Sequence, residues 1–185
     1  MSKFLVLLGP SGVGKSSILR KLSVIDASIV YIKPYTTRQL RNSEADKIHI
    51  SLDELTKLRN GDKLIKINEI FGFFYAAPKN QVFEFLAQGK FPSIDWPLQD
   101  LADLVRAIGA ENTHVVYVKP PSLNELFSRL QDGRDPDNVR FASAKRELDT
   151  LDQSLLRFPE IVKVVTNDNL EVSTLAVYNS LIGIN

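Results

Sequence analysis

The sequence predicts an α/β fold in which helices cover both faces of a parallel sheet. Short apolar runs alternate along the chain with longer segments whose apolar residues recur at helical spacing. Such alternation requires crossover connections, and right-handed crossovers join parallel strands of one sheet. A chain of 185 residues with 44% hydrophobic content is long enough to form one domain with a sizeable core.

Five strands and five helices are predicted for the core. The strands are short apolar runs, and the helices are longer segments between or after them. The predicted strands are Lys3–Leu8, Ser28–Tyr31, Phe91–Asp95, His114–Lys119 and Ile161–Val165. The predicted helices are Lys15–Val24, Leu98–Ile108, Ser122–Gln131, Asp137–Arg157 and Leu170–Ile182.

Two segments interrupt the alternation. Residues 33–90 contain short alternating stretches, and we interpret them as a small subdomain inserted into a core made of residues 1–32 and 91–185. Residues 132–140 are polar and rich in turn formers, which predicts a mobile lid between two helices. The predicted elements of the insertion are strands at Lys47–Ile50 and Lys63–Ile70 and a helix at Leu52–Arg59.

Charge and composition favour a small-molecule ligand. The chain has 23 basic and 22 acidic residues, and no block of like charge indicates a nucleic-acid or membrane surface. Without cysteine there is no disulfide and no thiolate metal site. The apolar run Phe4–Leu8 is too short for a signal peptide or a membrane span. We therefore expect a soluble, cytoplasmic protein, while the oligomeric state stays open.

The clearest motif is the run from Gly9 to Ser16, which fits G-x-x-x-x-G-K-[ST] at every fixed position. Its glycines allow several backbone N–H groups to converge on polyphosphate oxygens. Lys15 supplies a positive charge for the β and γ phosphates, and the Ser16 hydroxyl is a ligand for Mg²⁺. The strand before it and the helix after it are the context that the motif requires. We expect phosphate contacts from Gly9, Ser11, Gly12, Val13, Gly14, Lys15, Ser16 and Ser17.

Two pairs of arginines extend this hypothesis from binding to phosphoryl transfer. Arg38 and Arg41 follow two threonines at the start of the insertion, and their guanidinium groups suit the bidentate grip of a phosphate. Arg134 and Arg140 lie in the predicted lid, where closure would neutralise charge on the transferred group and exclude water. Either pair taken alone is equally compatible with an ordinary solvated surface.

Taken together, these elements resemble the guanylate kinase family, whose members are P-loop nucleoside monophosphate kinases. The resemblance extends in order over nearly the whole chain. Its motifs are Gly9–Ser16, Thr36-Thr37-Arg38-Gln39-Leu40-Arg41, Gly72-Phe73-Phe74-Tyr75, Pro120-Pro121-Ser122, Arg129-Leu130, the lid arginines and Asn167-Asp168-Asn169-Leu170-Glu171.

The resemblance implies a two-substrate site with ATP and Mg²⁺ as the donor side and a small phosphorylated acceptor. Arg38, Arg41 and Tyr75 would bind the acceptor phosphate, and Asn167 would lie near the adenine end of ATP. Asp95 resembles the first aspartate of the family's D-x-D segment and would orient the acceptor or a metal-bound water, although capping of the following helix is an alternative role. Catalysis would involve Lys15, Arg38, Asp95, Arg134 and Arg140.

Departures from the family pattern concentrate where guanine would be read. Ile48 stands where the family has a phosphate-binding tyrosine, Lys66 falls at the guanine-binding glutamate, and Ala76-Ala77 replace G-[ST] after Tyr75. The second aspartate of D-x-D falls on Pro97. Guanine donors need carboxylate and hydroxyl acceptors, which a buried cation opposes.

These departures leave three hypotheses about function. The first is phosphoryl transfer from ATP to a phosphorylated acceptor, nominally GMP. The second is a kinase for an acceptor without guanine, such as ribose 1,5-bisphosphate, as in a sugar-phosphate kinase related to the family. The third is a non-catalytic guanylate kinase-like binding module, although such modules have generally lost the phosphate loop that this chain keeps. A plain hydrolase or switch would leave the arginine pairs without a role.

Overall fold

The computed structural model describes residues 2–40, 45–70, 72–131 and 138–183. Within these residues the chain forms nine strands and eight α-helices. The strands are β1 (Phe4–Leu8), β2 (Ile29–Tyr31), β3 (Tyr35–Thr36), β4 (Ile48–His49), β5 (Leu64–Ile70), β6 (Phe73–Pro78), β7 (Phe91–Asp95), β8 (Thr113–Lys119) and β9 (Ile161–Thr166). The helices are α1 (Lys15–Ile25), α2 (Leu52–Asn60), α3 (Lys79–Ala87), α4 (Leu101–Ile108), α5 (Leu123–Leu130), α6 (Val139–Asp149), α7 (Leu151–Arg157) and α8 (Leu170–Ile182).

The main sheet has five parallel strands in the order β2-β7-β1-β8-β9, which confirms the predicted α/β class. β1 lies at its centre, and all five of its side chains are fully buried because both faces of the sheet are covered. Phe4, Val6 and Leu8 pack in a core that includes α4 and α7. Leu5 and Leu7 pack on the opposite face against α1 and α8.

A second sheet of four strands, in the order β4-β3-β6-β5, is built from residues between 35 and 78. β3 pairs with β4 in parallel and with β6 in antiparallel, and β6 also pairs with β5. α2 packs on this sheet through Leu55, and its start is fixed by a capping box between Ser51 and Glu54. The division of the chain into core, insertion and lid stays a prediction.

The core elements predicted from the sequence are present, but three elements of the insertion region were not predicted. These are β3, β6 and α3. β6 is a short apolar run that follows Gly72 and ends at Pro78. The same Pro78 is the N-cap of α3, so the helix follows the strand directly. Pro78 is the one boundary signal between β6 and α3, because the strand and the helix follow each other without a loop.

The helix predicted over residues 137–157 is wrong as one element. Asp137 lies outside the described residues, α6 begins at Val139, and the chain breaks at Thr150 before α7. The Thr150 hydroxyl donates to the carbonyl oxygens of Arg146 and Glu147, so it bonds to acceptors of the preceding turn. The predicted helix over residues 98–108 is likewise divided into a 3₁₀ turn at Leu98–Asp100 and α4.

No helix within the described ranges combines the length and the apolar character needed to cross a bilayer.

His114 in β8 predicts a pH dependence of stability. Burial, reinforced by the charges of Lys3 and Lys163, lowers the pKa of His114 to about 4, and its ring contacts the Ser180 hydroxyl at 2.9 Å. His114 therefore takes up a proton near pH 6.5 in the unfolded chain, but only near pH 4 in the folded chain. As the pH falls from 6.5 to 4, His114 alone should lower the free energy of unfolding by about 3 kcal/mol.

A His114→Gln variant should consequently lose less stability than the wild type between pH 7 and pH 4. The measurement is the free energy of unfolding by urea at several pH values, compared as slopes rather than as absolute stabilities. Parallel slopes for the two proteins would contradict the assignment of this effect to His114.

Candidate active site

The predicted phosphate loop connects the C-terminal end of β1 to the N-terminus of α1. Gly9 and Gly14 have positive φ angles of 129° and 98°. A Cβ on Gly9 would collide with the carbonyl oxygen of Val118 in β8, and a Cβ on Gly14 would collide with the side-chain amide of Asn167. The loop is therefore shaped by close packing on the sheet, and it leads into the N-terminus of α1, where unpaired backbone N–H groups favour an anion.

Asn167 braces the loop from the end of β9. Its Nδ2 donates to the carbonyl oxygen of Val13 at 2.8 Å, while its Oδ1 accepts from the Ser173 hydroxyl at 2.6 Å. Arg129 of α5 donates to the Asn167 carbonyl oxygen at 3.1 Å. Because Asn167 is buried, its hydrogen bonds to Val13 and Ser173 stabilise the loop. A role of Asn167 near adenine stays a prediction.

Lys15 opens α1 and turns its ammonium group back over the loop. Nζ donates to the carbonyl oxygens of Gly9 at 2.6 Å and Pro10 at 3.0 Å. Although the residue is partly exposed, its ammonium group lies inside the loop, and this burial lowers the pKa of Lys15. The negative charges of Asp95 and Glu147 oppose that effect, so two carboxylates lie within electrostatic reach of the lysine.

Asp95 ends β7, next to Leu7 of β1 in the sheet register. Its Oδ1 accepts a hydrogen bond from the Tyr31 hydroxyl at 3.1 Å. Burial, together with the charge of Asp95, raises the pKa of Tyr31, so the tyrosine stays protonated and donates. The 3₁₀ turn and α4 are instead preceded by Pro97 and Asp100, and neither makes a side-chain cap bond. The geometry thus directs Asp95 to the loop side of β7 rather than to the following helix.

The predicted acceptor anchor is partly within the described residues. Arg38 Nε donates to the Tyr75 hydroxyl at 3.2 Å, and the Arg38 amide donates to Thr36 Oγ1 at 3.1 Å. The His49 ring contacts the Arg38 carbonyl oxygen at 3.1 Å. The structure therefore brings Arg38 and Tyr75 together, whereas Arg41 lies outside the described residues.

Arg140, the second predicted lid arginine, reaches the phosphate loop from α6. Its guanidinium donates to the Ser11 hydroxyl. The neighbouring Phe141 packs edge-to-face against Phe127 of α5, with ring centroids 5.0 Å apart. A cation is therefore held against the loop. Arg134 lies outside the described residues.

Ser16 and Ser17 follow Lys15 in the first turn of α1. No cluster of three or more histidine, aspartate or glutamate side chains suited to a metal occurs in the part of the chain that the structure describes. Mg²⁺ is commonly held by one or two protein oxygens together with substrate phosphates. The hard oxygen donors Ser16 and Asp95 fit that mode of binding.

Lys66 differs from the buried, opposing cation that the sequence suggested. Its Nζ lies 2.5 Å from Asp100 Oδ1 and 2.5 Å from Asp103 Oδ2, and these hydrogen bonds raise the pKa of Lys66. The Lys66 side chain is 29% exposed, and the carboxylates of Asp100 and Asp103 neutralise its charge. Lys66 thereby joins β5 of the second sheet to the segment that leads into α4.

Other positions in the predicted base-reading region carry no polar replacement. Ala76 and Ala77 are buried in β6, and Ile48 is exposed in β4. Trp96 is buried in the main core, and its indole N–H donates to the Asp100 carbonyl oxygen at 3.2 Å.

Four residues near the site were not singled out as functional from the sequence: Tyr31, His49, Tyr117 and Glu147. Their positions depend on which strands become neighbours, which no local motif encodes. For Glu147 there was one available signal, its spacing of seven residues from Arg140, which places both on one face of a helix.

The fold and the site define a P-loop phosphotransferase of the nucleoside monophosphate kinase class. The family model described as guanylate kinase matches residues 1–182, and the chain belongs to the guanylate kinase family. A guanylate kinase from Rhizobium johnstonii is 32% identical over 180 residues, covering 94% of this chain and 78% of the relative. One from Thermosynechococcus vestitus is 30% identical over 183 residues, covering 97% of this chain and 93% of the relative.

A solved structure supports the fold. The crystal structure of guanylate kinase from Anaplasma phagocytophilum superimposes with a TM-score of 0.77 at 23% identity, covering 98% of this chain and 85% of that one.

The close approach of Gly14 to Asn167 leads to a prediction. Gly14→Ala should lower the free energy of unfolding by more than about 1–2 kcal/mol, because it adds a left-handed strain of that size and displaces Asn167. It should also weaken binding of an ATP analogue at least about tenfold.

Gly89→Ala is the matched control. Gly89 also has a positive φ, of 73°, but a Cβ there meets no atom within 4 Å. Calorimetric titration and thermal unfolding measure both effects, and equal behaviour of the two variants would show that the contact with Asn167 does not shape the loop.

Proposed function

We propose that this protein transfers the γ-phosphoryl group of ATP to a small phosphorylated acceptor, with GMP as the first candidate because its relatives are guanylate kinases. One observation carries the proposal. The phosphate loop is approached by Arg140 from α6 and by the charge of Asp95 from β7, while Arg38 and Tyr75 form a separate anion anchor in the second sheet. A hydrolase or a switch has no use for that second anchor.

On the donor side, the loop amides and Lys15 bind the β and γ phosphates. Burial lowers the pKa of Lys15, and the charges of Asp95 and Glu147 oppose that effect. Mg²⁺, bound with ATP, would be held by Ser16 and would neutralise charge on the phosphates. Arg140 is already in contact with the loop, so its guanidinium is placed to stabilise the oxygens of the transferred group.

On the acceptor side, Arg38 and the Tyr75 hydroxyl would hold the acceptor phosphate. An oxygen of that phosphate attacks the γ phosphorus in line, the bond from γ phosphorus to the bridging oxygen breaks, and ADP leaves. No general base is required, because the attacking oxygen is anionic at neutral pH. Catalysis is then a matter of positioning and of charge stabilisation.

A second candidate, a kinase for an acceptor without guanine, is favoured by Lys66. At the position predicted for the family's guanine-binding carboxylate, this chain has Lys66, which forms ion pairs with Asp100 and Asp103. Neutralisation by these aspartates weakens the repulsion of guanine donors but supplies no new hydroxyl at Ala76 or Ala77. Ribose 1,5-bisphosphate is an acceptor that would need no base reader.

Lys15→Ala should abolish ADP formation from ATP, Mg²⁺ and acceptor, because no other described side chain occupies its place in the loop. Lys21→Ala, which removes a lysine from the same helix, should retain most of the activity. Coupled detection of ADP measures both. Undiminished turnover in the Lys15 variant would contradict the mechanism, whereas absence of turnover in the wild type would favour a non-catalytic binding module.

Arg38→Ala should raise the KM for the acceptor at least about tenfold, with little change in the KM for ATP, because it removes a charge-assisted phosphate contact. Tyr75→Phe should act in the same direction but less strongly. The control is Arg157→Ala, whose guanidinium packs on Phe158 in the α7 region. A change confined to the KM for ATP would indicate that Arg38 binds the donor nucleotide and would contradict its assignment to the acceptor phosphate.

The acceptor itself is tested by comparing kcat/KM for GMP, AMP and ribose 1,5-bisphosphate. A site that has lost its guanine reader should distinguish GMP from AMP by no more than about tenfold, whereas a site that hydrogen-bonds the base discriminates by about 10⁴ or more. A large preference for GMP would therefore establish GMP as the acceptor and reject the second candidate.

A further inference from the structure

Helix α6 carries two charged side chains that reach the site from the same face. Arg140 and Glu147 are seven residues apart, close to two helical turns. Arg140 contacts Ser11 of the phosphate loop, and Glu147 accepts a hydrogen bond from the Tyr117 hydroxyl at 2.7 Å. The helix is thus attached at one point to the loop and at another to the main sheet.

Tyr117 is a rigid attachment point. It is fully buried in β8 and lies in register with Leu8, the residue before the phosphate loop. Burial, together with the charge of Glu147, raises the pKa of Tyr117, so its hydroxyl remains a donor. The bond from Tyr117 to Glu147 therefore fixes α6 relative to the strand that the loop packs against at Gly9.

We propose that Glu147 is a positioning residue for phosphoryl transfer, which through its bond to Tyr117 fixes α6 so that Arg140 is held against the phosphate loop. This inference rests on the proposed function. Neither the phosphate-loop motif nor the arginine pairs include Glu147 or Tyr117. In this proposal the two residues act through the position of Arg140 rather than through the charge of Glu147 at Lys15.

The arrangement limits how far Arg140 can move. Arg140 lies in the first turn of α6, beside the residues predicted to form the lid, whereas Glu147 lies two turns further into the helix. α5 supports the same end through the contact between Phe127 and Phe141. Loss of the bond to Tyr117 would leave the C-terminal half of α6 held by apolar packing, through Ala144 and Leu148, and would change the angle at which the guanidinium of Arg140 approaches the loop.

A purely structural role for Glu147 predicts a different outcome. Removing a buried hydrogen bond lowers stability whether or not Arg140 depends on it. Positioning instead predicts a loss in kcat that is not additive with the loss of Arg140, because both substitutions disturb the same contact. The two roles are separated by a double-mutant cycle.

The experiment measures kcat, the KM for ATP and thermal unfolding for five variants: Tyr117→Phe, Glu147→Ala, Glu147→Gln, Arg140→Ala and the double variant that combines Arg140→Ala with Glu147→Ala. The acceptor is whichever of GMP, AMP and ribose 1,5-bisphosphate gives the highest turnover with the wild type. Glu84→Gln, an exposed glutamate of α3, is the matched control and should leave kcat unchanged. Absence of turnover in the wild type with all three acceptors would reject the proposed function rather than this inference.

Tyr117→Phe and Glu147→Ala should each lower kcat about tenfold or more while the KM for ATP changes less than about threefold. Glu147→Gln retains an oxygen that accepts from Tyr117 and should recover most of the activity. Adding Glu147→Ala to Arg140→Ala should cause no further loss in kcat. The proposal is overturned if the losses multiply in the double variant, if Glu147→Gln is as impaired as Glu147→Ala, or if only the unfolding temperature falls.

Discussion

The close packing of the phosphate loop on the parallel sheet is the constraint on which the rest of the site depends. Gly9 approaches the backbone of β8, and Gly14 approaches the side chain of Asn167 at the end of β9. These contacts cross three strands of the sheet, so the curvature of the loop is set by the registers of β1, β8 and β9 together. The positions of Lys15 and of the first turn of α1 follow from that curvature.

The site concentrates opposite charges in a small volume. Burial of the Lys15 ammonium group favours loss of its proton, and the carboxylates of Asp95 and Glu147 counter that tendency. Each carboxylate also accepts from a tyrosine hydroxyl of the main sheet, Asp95 from Tyr31 of β2 and Glu147 from Tyr117 of β8. Because each tyrosine remains a donor, the carboxylates are held in place without cancelling their charge.

The sequence was sufficient for the features that a local pattern encodes. The phosphate loop is a contiguous motif, and the core strands are continuous apolar runs because both of their faces are buried. Pairing of Arg38 with Tyr75 followed from a family pattern, but the neighbours of Glu147 and Lys66 depend on contacts between residues 30 and 37 positions apart. The break at Thr150 was missed because a single hydroxyl competes there with helical spacing that continues on both sides.

Lys66 illustrates how substrate choice and architecture become linked. The same ammonium group lies at the predicted base-reading position and ties β5 to α4 and the turn before it through Asp103 and Asp100. A carboxylate introduced at this position alone would bring three negative charges together and would remove the ion pairs that join β5 to α4. A carboxylate at position 66 would therefore need a compensating change at one of the two aspartates, so that a residue of the second sheet and one near α4 would have to change together.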